Sequence, residues 1–299
     1  MYYRYSEIRD ALKAGACAKI AVAAAEDKEV LETIKQAYEL QIAEAILIGD
    51  KTKIKAIKNE IGFSQEVEII DVKDEKEAAL SATKCVHDGK ADILMKGLVN
   101  SSIFLKAVLN EEVGLRTGKL LSHLAVFEIP GFKKLAYYTD GGMNTFPDLN
   151  AKIQILSNGI EALHALGTPC PNVALLTANE MVNPKMPATV DAAKLVALSK
   201  EGNLPKSVIE GPIALDVALS KEAALHKKIK SAVSGEVDLF LVPNIEAGNM
   251  VGKALMYCAG AKMAGVVLGA ANPIVMTSRA ENAEGKLNSL ALACIMQKK

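Results

Sequence analysis

Lys19–Asp50 reads KIAVAAAEDKEVLETIKQAYELQIAEAILIGD. Lys19–Ala23 is a short apolar run with the composition of a strand. Val30, Leu31, Ile34, Ala37 and Tyr38 then recur at helical spacing through Glu39. Ala45–Ile48 is apolar again and is stopped by Gly49-Asp50, so the stretch reads as strand, helix, strand. The rhythm continues outward. Ile54, Ile57 and Ile61 suit a short helix, and Val67–Val72 alternates like a strand. A helix is expected from Glu75 to Asp88, and a fourth strand over Asp92–Met95, ending at Lys96-Gly97. Strands alternating with helices build a mostly parallel sheet flanked by helices, which is an α/β fold.

Near residue 118 the rhythm changes. Ser122–Ile129 and Lys134–Thr139 read as two strands joined by Pro130-Gly131, an antiparallel hairpin. Afterwards the alternation resumes. Helices are expected at Leu149–Leu166, Val190–Lys200, Val251–Ala261 and from Glu284 onward. Strands are expected at Val173–Thr177, Val237–Val242 and Gly265–Leu268.

At 299 residues, half of them hydrophobic, the chain has material for one large or two ordinary domains. Lysine plus arginine equals aspartate plus glutamate. A formal charge of zero argues against nucleic acid, whose binding needs concentrated positive charge. No apolar run approaches the ~20 residues that cross a bilayer, and the N-terminus lacks a signal-peptide core. The cysteines are five, scattered and without a CxxC pair, so neither a disulfide framework nor a zinc ribbon is expected. A cytoplasmic, reduced protein without membrane or nucleic-acid partners is the expectation.

Five polar turns rich in small residues follow or adjoin apolar runs. They are MKGLVNSS (Met95–Ser102), GLRTGK (Gly114–Lys119), TDGGMNTFPD (Thr139–Asp148), NIEAGNMVGK (Asn244–Lys253) and MTSRAEN (Met276–Asn282). In open α/β sheets ligands collect at the carboxyl ends of strands, where such turns expose backbone N–H groups. Five together suggest a polar site for an anion. GNMVGKA fails as a P-loop, because its glycines are one residue too close and Ala254 stands where a hydroxyl is needed. No GxGxxG follows the first strand. Only four of the 35 basic residues are arginines, and two of these, Arg116 and Arg279, stand in the turns. A guanidinium fork grips two oxygens of a phosphate or carboxylate at once; a structural ion pair is the bland alternative. His87 fits a helix end, His123 a buried strand, and His164 and His226 have no metal-ligand spacing. No metal site is expected.

In this order the turns resemble those of the phosphate acetyl/butyryltransferase family, and within it the short phosphate butyryltransferase branch. ADILMKGLVNSSIFLKAVLN, GLRTGKLLSH, TDGGMNTFPDLNAKIQI, EGPIALDVALSKEA, VPNIEAGNMVGKAL and SRAENAEGKLNSLALA carry the likeness over nearly the whole chain. The resemblance implies the two-domain isocitrate/isopropylmalate dehydrogenase-like fold, with residues 1–118 plus 267–299 in the first domain and 119–266 in the second, and the active site between them. It implies reversible transfer of a short acyl group, butyryl or branched, between coenzyme A and inorganic phosphate. Acyl-CoA and phosphate would be substrates, with no permanently bound cofactor, and the protein would be a homo-oligomer. It assigns catalysis to Ser278 and Arg279, and phosphate or coenzyme A binding to Lys96, Ser101, Ser102, Arg116, Asp140, Asn144, Gly248 and Asn249.

One position departs from the pattern. The acetyl branch carries an aspartate six residues after the arginine, a candidate base for the thiol. Gly285 stands there in this chain, with Glu284 beside it as the candidate replacement. The competing expectations are a phosphate acetyltransferase and, outside catalysis, an acyl-CoA-binding regulatory protein.

Overall fold

The structure, a computed structural model, describes residues 2–13, 15, 17–277 and 281–297. The elements in chain order are α1 (Tyr5–Lys13), β1 (Ala18–Ala23), α2 (Lys28–Glu39), β2 (Ala43–Gly49), α3 (Lys51–Glu60), β3 (Glu68–Asp71), α4 (Glu75–His87), β4 (Ile93–Lys96), α5 (Ser101–Val108), β5 (Ser122–Glu128), β6 (Ala136–Thr139), α6 (Leu149–Ala165), β7 (Asn172–Leu176), α7 (Pro187–Lys200), β8 (Val208–Ile213), α8 (Leu215–Leu219), α9 (Lys221–His226), β9 (Leu239–Leu241), α10 (Ile245–Ala259), β10 (Lys262–Leu268), β11 (Ile274–Val275) and α11 (Ala283–Gln297). They fall into two compact units. One comprises Arg4–Lys119 with Met263–Lys299, the other Met1–Tyr3 with Leu120–Lys262.

In the unit built from both chain ends the strand order is β3-β2-β1-β4-β11-β10. Neighbours from β3 to β11 run parallel, and β10 is antiparallel to β11. The Lys19–Asp50 stretch forms as its pattern dictates. Asp27 caps α2 by accepting from Val30 N, Asp50 caps α3, and β1 pairs with β2 from Ala18↔Ala43 to Ala23↔Ile48. The sheet's interior is aliphatic, with Ile20, Val22, Leu47, Ile48, Ile93 and Leu94 buried. Helix α11 packs against α1 and α2. It is buried continuously from Gly285 to Ile295, polar Asn288 and Ser289 included. Their side-chain oxygens are bonded, while Asn288 Nδ2 has no partner among the described residues. Arg9 Nη1 donates to Asn288 Oδ1 at 2.7 Å, and Ser289 Oγ accepts from Gly265 N at 2.9 Å.

In the other unit the order is β5-β6-β9-β7-β8. The hairpin β5–β6 is antiparallel, as Pro130-Gly131 predicts, and β6, β9, β7 and β8 are parallel. Phe127, Tyr138 and Phe240 fill its centre. Tyr138 stacks on Phe240 with ring centroids 4.5 Å apart, and Phe127 meets Tyr138 edge-on at 5.6 Å. Gly159 lets α6 lie close on the sheet, since a Cβ there would stand 3.0 Å from Leu239 Cδ2.

Helix α10 begins at Ile245, six residues ahead of the periodicity-based start at Val251. Asn244 caps it by accepting from Ala247 N. Arg4 immediately precedes α1.

Candidate active site

Two groups of the expected residues form, one in each unit.

The first surrounds the carboxyl end of β4. Gly97 N and Leu98 N donate to Ala23 O and Ala24 O at 2.8 and 2.7 Å, laying the turn across the end of β1. Only glycine fits at 97, where a Cβ would stand 2.2 Å from Ala24 O. Lys96 is 5% exposed, and its Nζ donates to Gly97 O at 3.3 Å. Asn100 caps α5 by accepting from both Ser102 N and Ser102 Oγ at 2.9 Å. Ser101 is exposed on the first turn of α5. β11 runs parallel beside β4, with Val275 opposite Met95. Met276 therefore leaves the sheet at the edge where Lys96 does. Ser278 and Arg279 lie outside the described residues.

Beyond them, Asn282 caps α11 by accepting from Gly285 N at 3.0 Å. Glu284 is exposed on the helix's first turn. Gly285 is buried, and its missing side chain is replaced by another: a Cβ there would stand 2.6 Å from Glu281 Oε1 and 2.7 Å from Glu281 Cγ. Glu281 Oε1 is buried, and its backbone carbonyl accepts from the buried Lys286 ammonium. Sequence reasoning passed over Glu281.

Arg116 belongs to the same unit but is not brought to Lys96. Its backbone bridges Ala270, while Thr117 Oγ1 donates to Gly269 O at 2.5 Å and Ala271 N donates to Leu115 O at 2.9 Å. This Gly269–Ala271 turn precedes β11, at the edge where β4 begins; the adjoining Asn272 amide donates to Asp92 O at 3.0 Å. The Arg116 side chain is 56% exposed and lies 3.8 Å from Glu111, itself 91% exposed. An exposed pair of that kind holds an arginine weakly. His87 Nδ1 lies 3.2 Å from Gly114 O and ties α4 to this turn.

The second group, in the other unit, surrounds the carboxyl ends of the adjacent strands β6 and β9. The Asp140 carboxylate is buried and fully engaged by its own turn. Oδ1 accepts from Gly142 N and Met143 N at 2.9 Å each, and Oδ2 from Asn144 N at 3.3 Å and Asn144 Nδ2 at 2.6 Å. Asn144 Nδ2 also donates to Leu121 O at 2.9 Å. The turn meets the start of α10 backbone to backbone. Ile245 N donates to Thr145 O, and a Cβ on Gly248 would stand 2.6 Å from Gly141 Cα. Gly248 N is already bonded to Asn244 O, so Gly248 serves by lacking a side chain. Asn249 next to it is exposed. His123 is buried under the turn, where a Cβ on Gly142 would stand 2.8 Å from its Cγ. Its Nδ1 has no partner among the described residues. Burial pushes the imidazole below its ordinary pKa, and the nearby Asp140 carboxylate opposes that only in part. Phe146, 69% exposed in the same turn, was not singled out from sequence.

Lysine, hydroxyl and amide groups on turns shaped by glycine suit an anionic ligand rather than a metal. No group of three His, Cys, Asp or Glu side chains among the described residues could hold an ion. No helix among them is long and apolar enough to cross a membrane.

Residues 72–294 match the model of the phosphate acetyl/butaryl transferase family. The chain belongs to that family. It is 46% identical to the phosphate butyryltransferase of Clostridium acetobutylicum over 297 residues, 99% of each chain. The crystal structure of a branched-chain phosphotransacylase from Enterococcus faecalis V583 superposes with a TM-score of 0.83 at 31% identity, covering 94% of this chain and 99% of that one. The 4-hydroxythreonine-4-phosphate dehydrogenase of Klebsiella pneumoniae matches with a TM-score of 0.59 at 12% identity, over 95% and 100% of the two chains. At that identity only the fold is shared, and it is the dehydrogenase-like α/β fold that the family resemblance implies.

Proposed function

We propose that the chain is a phosphate acyltransferase that moves a butyryl or branched short acyl group reversibly between coenzyme A and inorganic phosphate. The observation that carries this reading is the end-to-end likeness to a phosphate butyryltransferase. The polar turns at the ends of β4, β6 and β9 support it.

In the forward direction a phosphate oxygen attacks the thioester carbonyl. The tetrahedral adduct expels the coenzyme A sulfur as the C–S bond breaks, and the thiolate takes up a proton. Both reactants are anionic and the adduct concentrates charge further, so positioned donors supply most of the catalysis. Arg279 clamps phosphate or the developing oxyanion, and Ser278 donates to the carbonyl oxygen or the leaving sulfur. Lys96, Ser101 and Ser102 serve the reacting phosphate. Arg116, anchored at the other edge of the sheet, suits a phosphate of coenzyme A better. Asp140 and Asn144 build the turn that Gly141 and Gly248 press against α10, and Asn249 is the polar group this packing presents.

The sequence points to Glu284 as the base for the thiol. The geometry favours a second reading, in which Glu281 serves, because its carboxylate fills the space vacated at Gly285. Acyl-CoA and phosphate are substrates here, no resident cofactor takes part, and the working form is a homo-oligomer.

The test is thiol release from butyryl-CoA with and without phosphate, with the acyl phosphate trapped by hydroxylamine. Phosphate-dependent release with stoichiometric hydroxamate is expected. Tight binding of butyryl-CoA without release would instead assign an acyl-CoA-binding protein.

A further inference from the structure

Strand β3 is the outermost strand of the unit built from both chain ends. Its inner side is paired with β2: Val72 N donates to Gly49 O at 3.0 Å, and Ile70 stands opposite Ile48. In a parallel ladder successive residues turn their backbone groups to alternate sides. Glu68, Ile70 and Val72 therefore address β2, and Val67, Ile69 and Asp71 address the open edge. The backbone groups of Val67 and Ile69 have no partner among the described residues. An open row of this kind is a template for one more strand.

A groove of about 790 Å³ adjoins this edge, lined from α3 by Lys51, Lys55 and Lys58 and from the β3 side by Gln65, Val67 and Ile69. Helix α3 carries four lysines and one acidic residue, Glu60, which pairs with Lys28 at 2.7 Å. Lys58 Nζ lies 4.2 Å from the centre of the Phe63 ring and donates to Gln65 O at 2.7 Å. Of the groove's carboxylates, Glu66 lies near Lys58 and Glu68 pairs with Lys19 at 3.4 Å. Lys51 and Lys55 form no ion pair among the described residues. Gln65 Oε1 is buried and has no partner either. The lysines thus call for acceptors, while Gln65 Oε1 and the outward carbonyls of β3 call for donors. Inorganic polyphosphate supplies acceptors alone. A peptide strand supplies both, its main chain to β3 and its acidic side chains to the lysines.

We infer that the open edge of β3 docks an extended acidic segment of a partner protein. The segment adds a strand to the sheet and sets alternate carboxylates on Lys51 and Lys55. The spacing fits. A helix rises ~1.5 Å per residue, which puts these lysines ~6 Å apart along α3. Alternate residues of a strand are ~6.6 Å apart, so every second side chain of the segment is acidic. The inference is independent of the acyl-transfer reading, because the groove contains none of the turns that reading uses.

Fluorescence anisotropy on the full chain tests it, with a labelled peptide of alternating glutamate and threonine. Saturable binding is expected. Lys51→Glu/Lys55→Glu should weaken it by about tenfold or more, the loss of two exposed ion pairs. Ile69→Pro removes an outward N–H and spares the ladder to β2, so it should weaken binding as well. Far-UV circular dichroism and phosphate-dependent thiol release should be unchanged in both variants. Two methylated peptides leave the protein untouched. Methylating one alternating set of backbone nitrogens should abolish binding, and methylating the other set should not. No binding at millimolar peptide would overturn the inference. Binding that tolerates both methylations, or that tripolyphosphate displaces, would make the groove a plain anion site. Self-association of the chain that Ile69→Pro abolishes would give the edge to a second copy instead.

Discussion

The Glu281 carboxylate lies where a side chain on Gly285 would have to go, with Oε1 2.6 Å from the Cβ that position lacks. On the proposed reading, the carboxylate that position 285 lacks is supplied from four residues earlier. Glu281→Gln should lower the turnover of butyryl phosphate with coenzyme A by about a hundredfold, the lower end of what a general base contributes. Glu284→Gln should change it less than about twofold. Gly285→Ala should follow Glu281→Gln, because the new methyl group displaces a flexible carboxylate and leaves the backbone in place. Steady-state kinetics of the three variants decide the matter. The reverse ranking would return the role to Glu284.

Gly141 and Gly248 touch with no space for a methyl group between them. Gly248→Ala sets a Cβ 2.6 Å from Gly141 Cα and 2.8 Å from Val242 Cγ2, an overpacking that costs about 1–3 kcal/mol. Urea denaturation should show that loss. Stability equal to wild type would mean that the turn and the helix yield freely.

Arg116 and Lys96 serve different parts of the substrates on this reading. Arg116→Ala should raise KM for coenzyme A about tenfold or more, the loss expected for a charge-assisted hydrogen bond. KM for phosphate should move less than about twofold. A larger effect on phosphate would place Arg116 at the reacting centre.

His123 links stability to pH. Its imidazole is held neutral by burial, so its folded pKa lies below the ordinary value near 6.5. Above that value both states are neutral and no penalty arises. As pH falls through about 6.5, the unfolded chain takes up a proton that the folded protein refuses, and stability declines. Thermal unfolding between pH 8 and 5 should show the decline, and His123→Gln should flatten it. An unchanged slope in the variant would assign the dependence to other groups.

Much of the fold was legible because the apolar periods are clean. Lys19–Asp50 formed the strand–helix–strand read from it, and the hairpin at Pro130-Gly131 is present. The first turns of α10 were missed because Ile245–Met250 interrupts the apolar period with Glu246, Gly248 and Asn249; Asn244, a capping residue, was the available signal. β8 was missed because Gly211-Pro212 in VIEGPI reads as a turn. The first two residues of α5, Ser101 and Ser102, were read as the end of a turn, and the rest of this short helix, to Val108, was left unassigned. Most candidate side chains were legible as small and polar residues behind strands. Their relationships were not. Glu281 precedes the cap of α11, so helical spacing could not place it over Gly285. Gly141 meets Gly248 only because β6 and β9 are neighbours, which no local pattern records.

The most direct measurement is phosphate-dependent thiol release from acetyl-, butyryl- and isobutyryl-CoA by wild type and Arg279→Ala. Turnover should be fastest with the four-carbon groups and nearly abolished in the variant, with the preference graded because each methylene contributes only about 1–3 kcal/mol. Fastest turnover of acetyl-CoA would make the chain a phosphate acetyltransferase. No thiol from any of the three with a folded protein, or an Arg279→Ala variant as fast as wild type, would contradict phosphate-dependent acyl transfer built on Arg279.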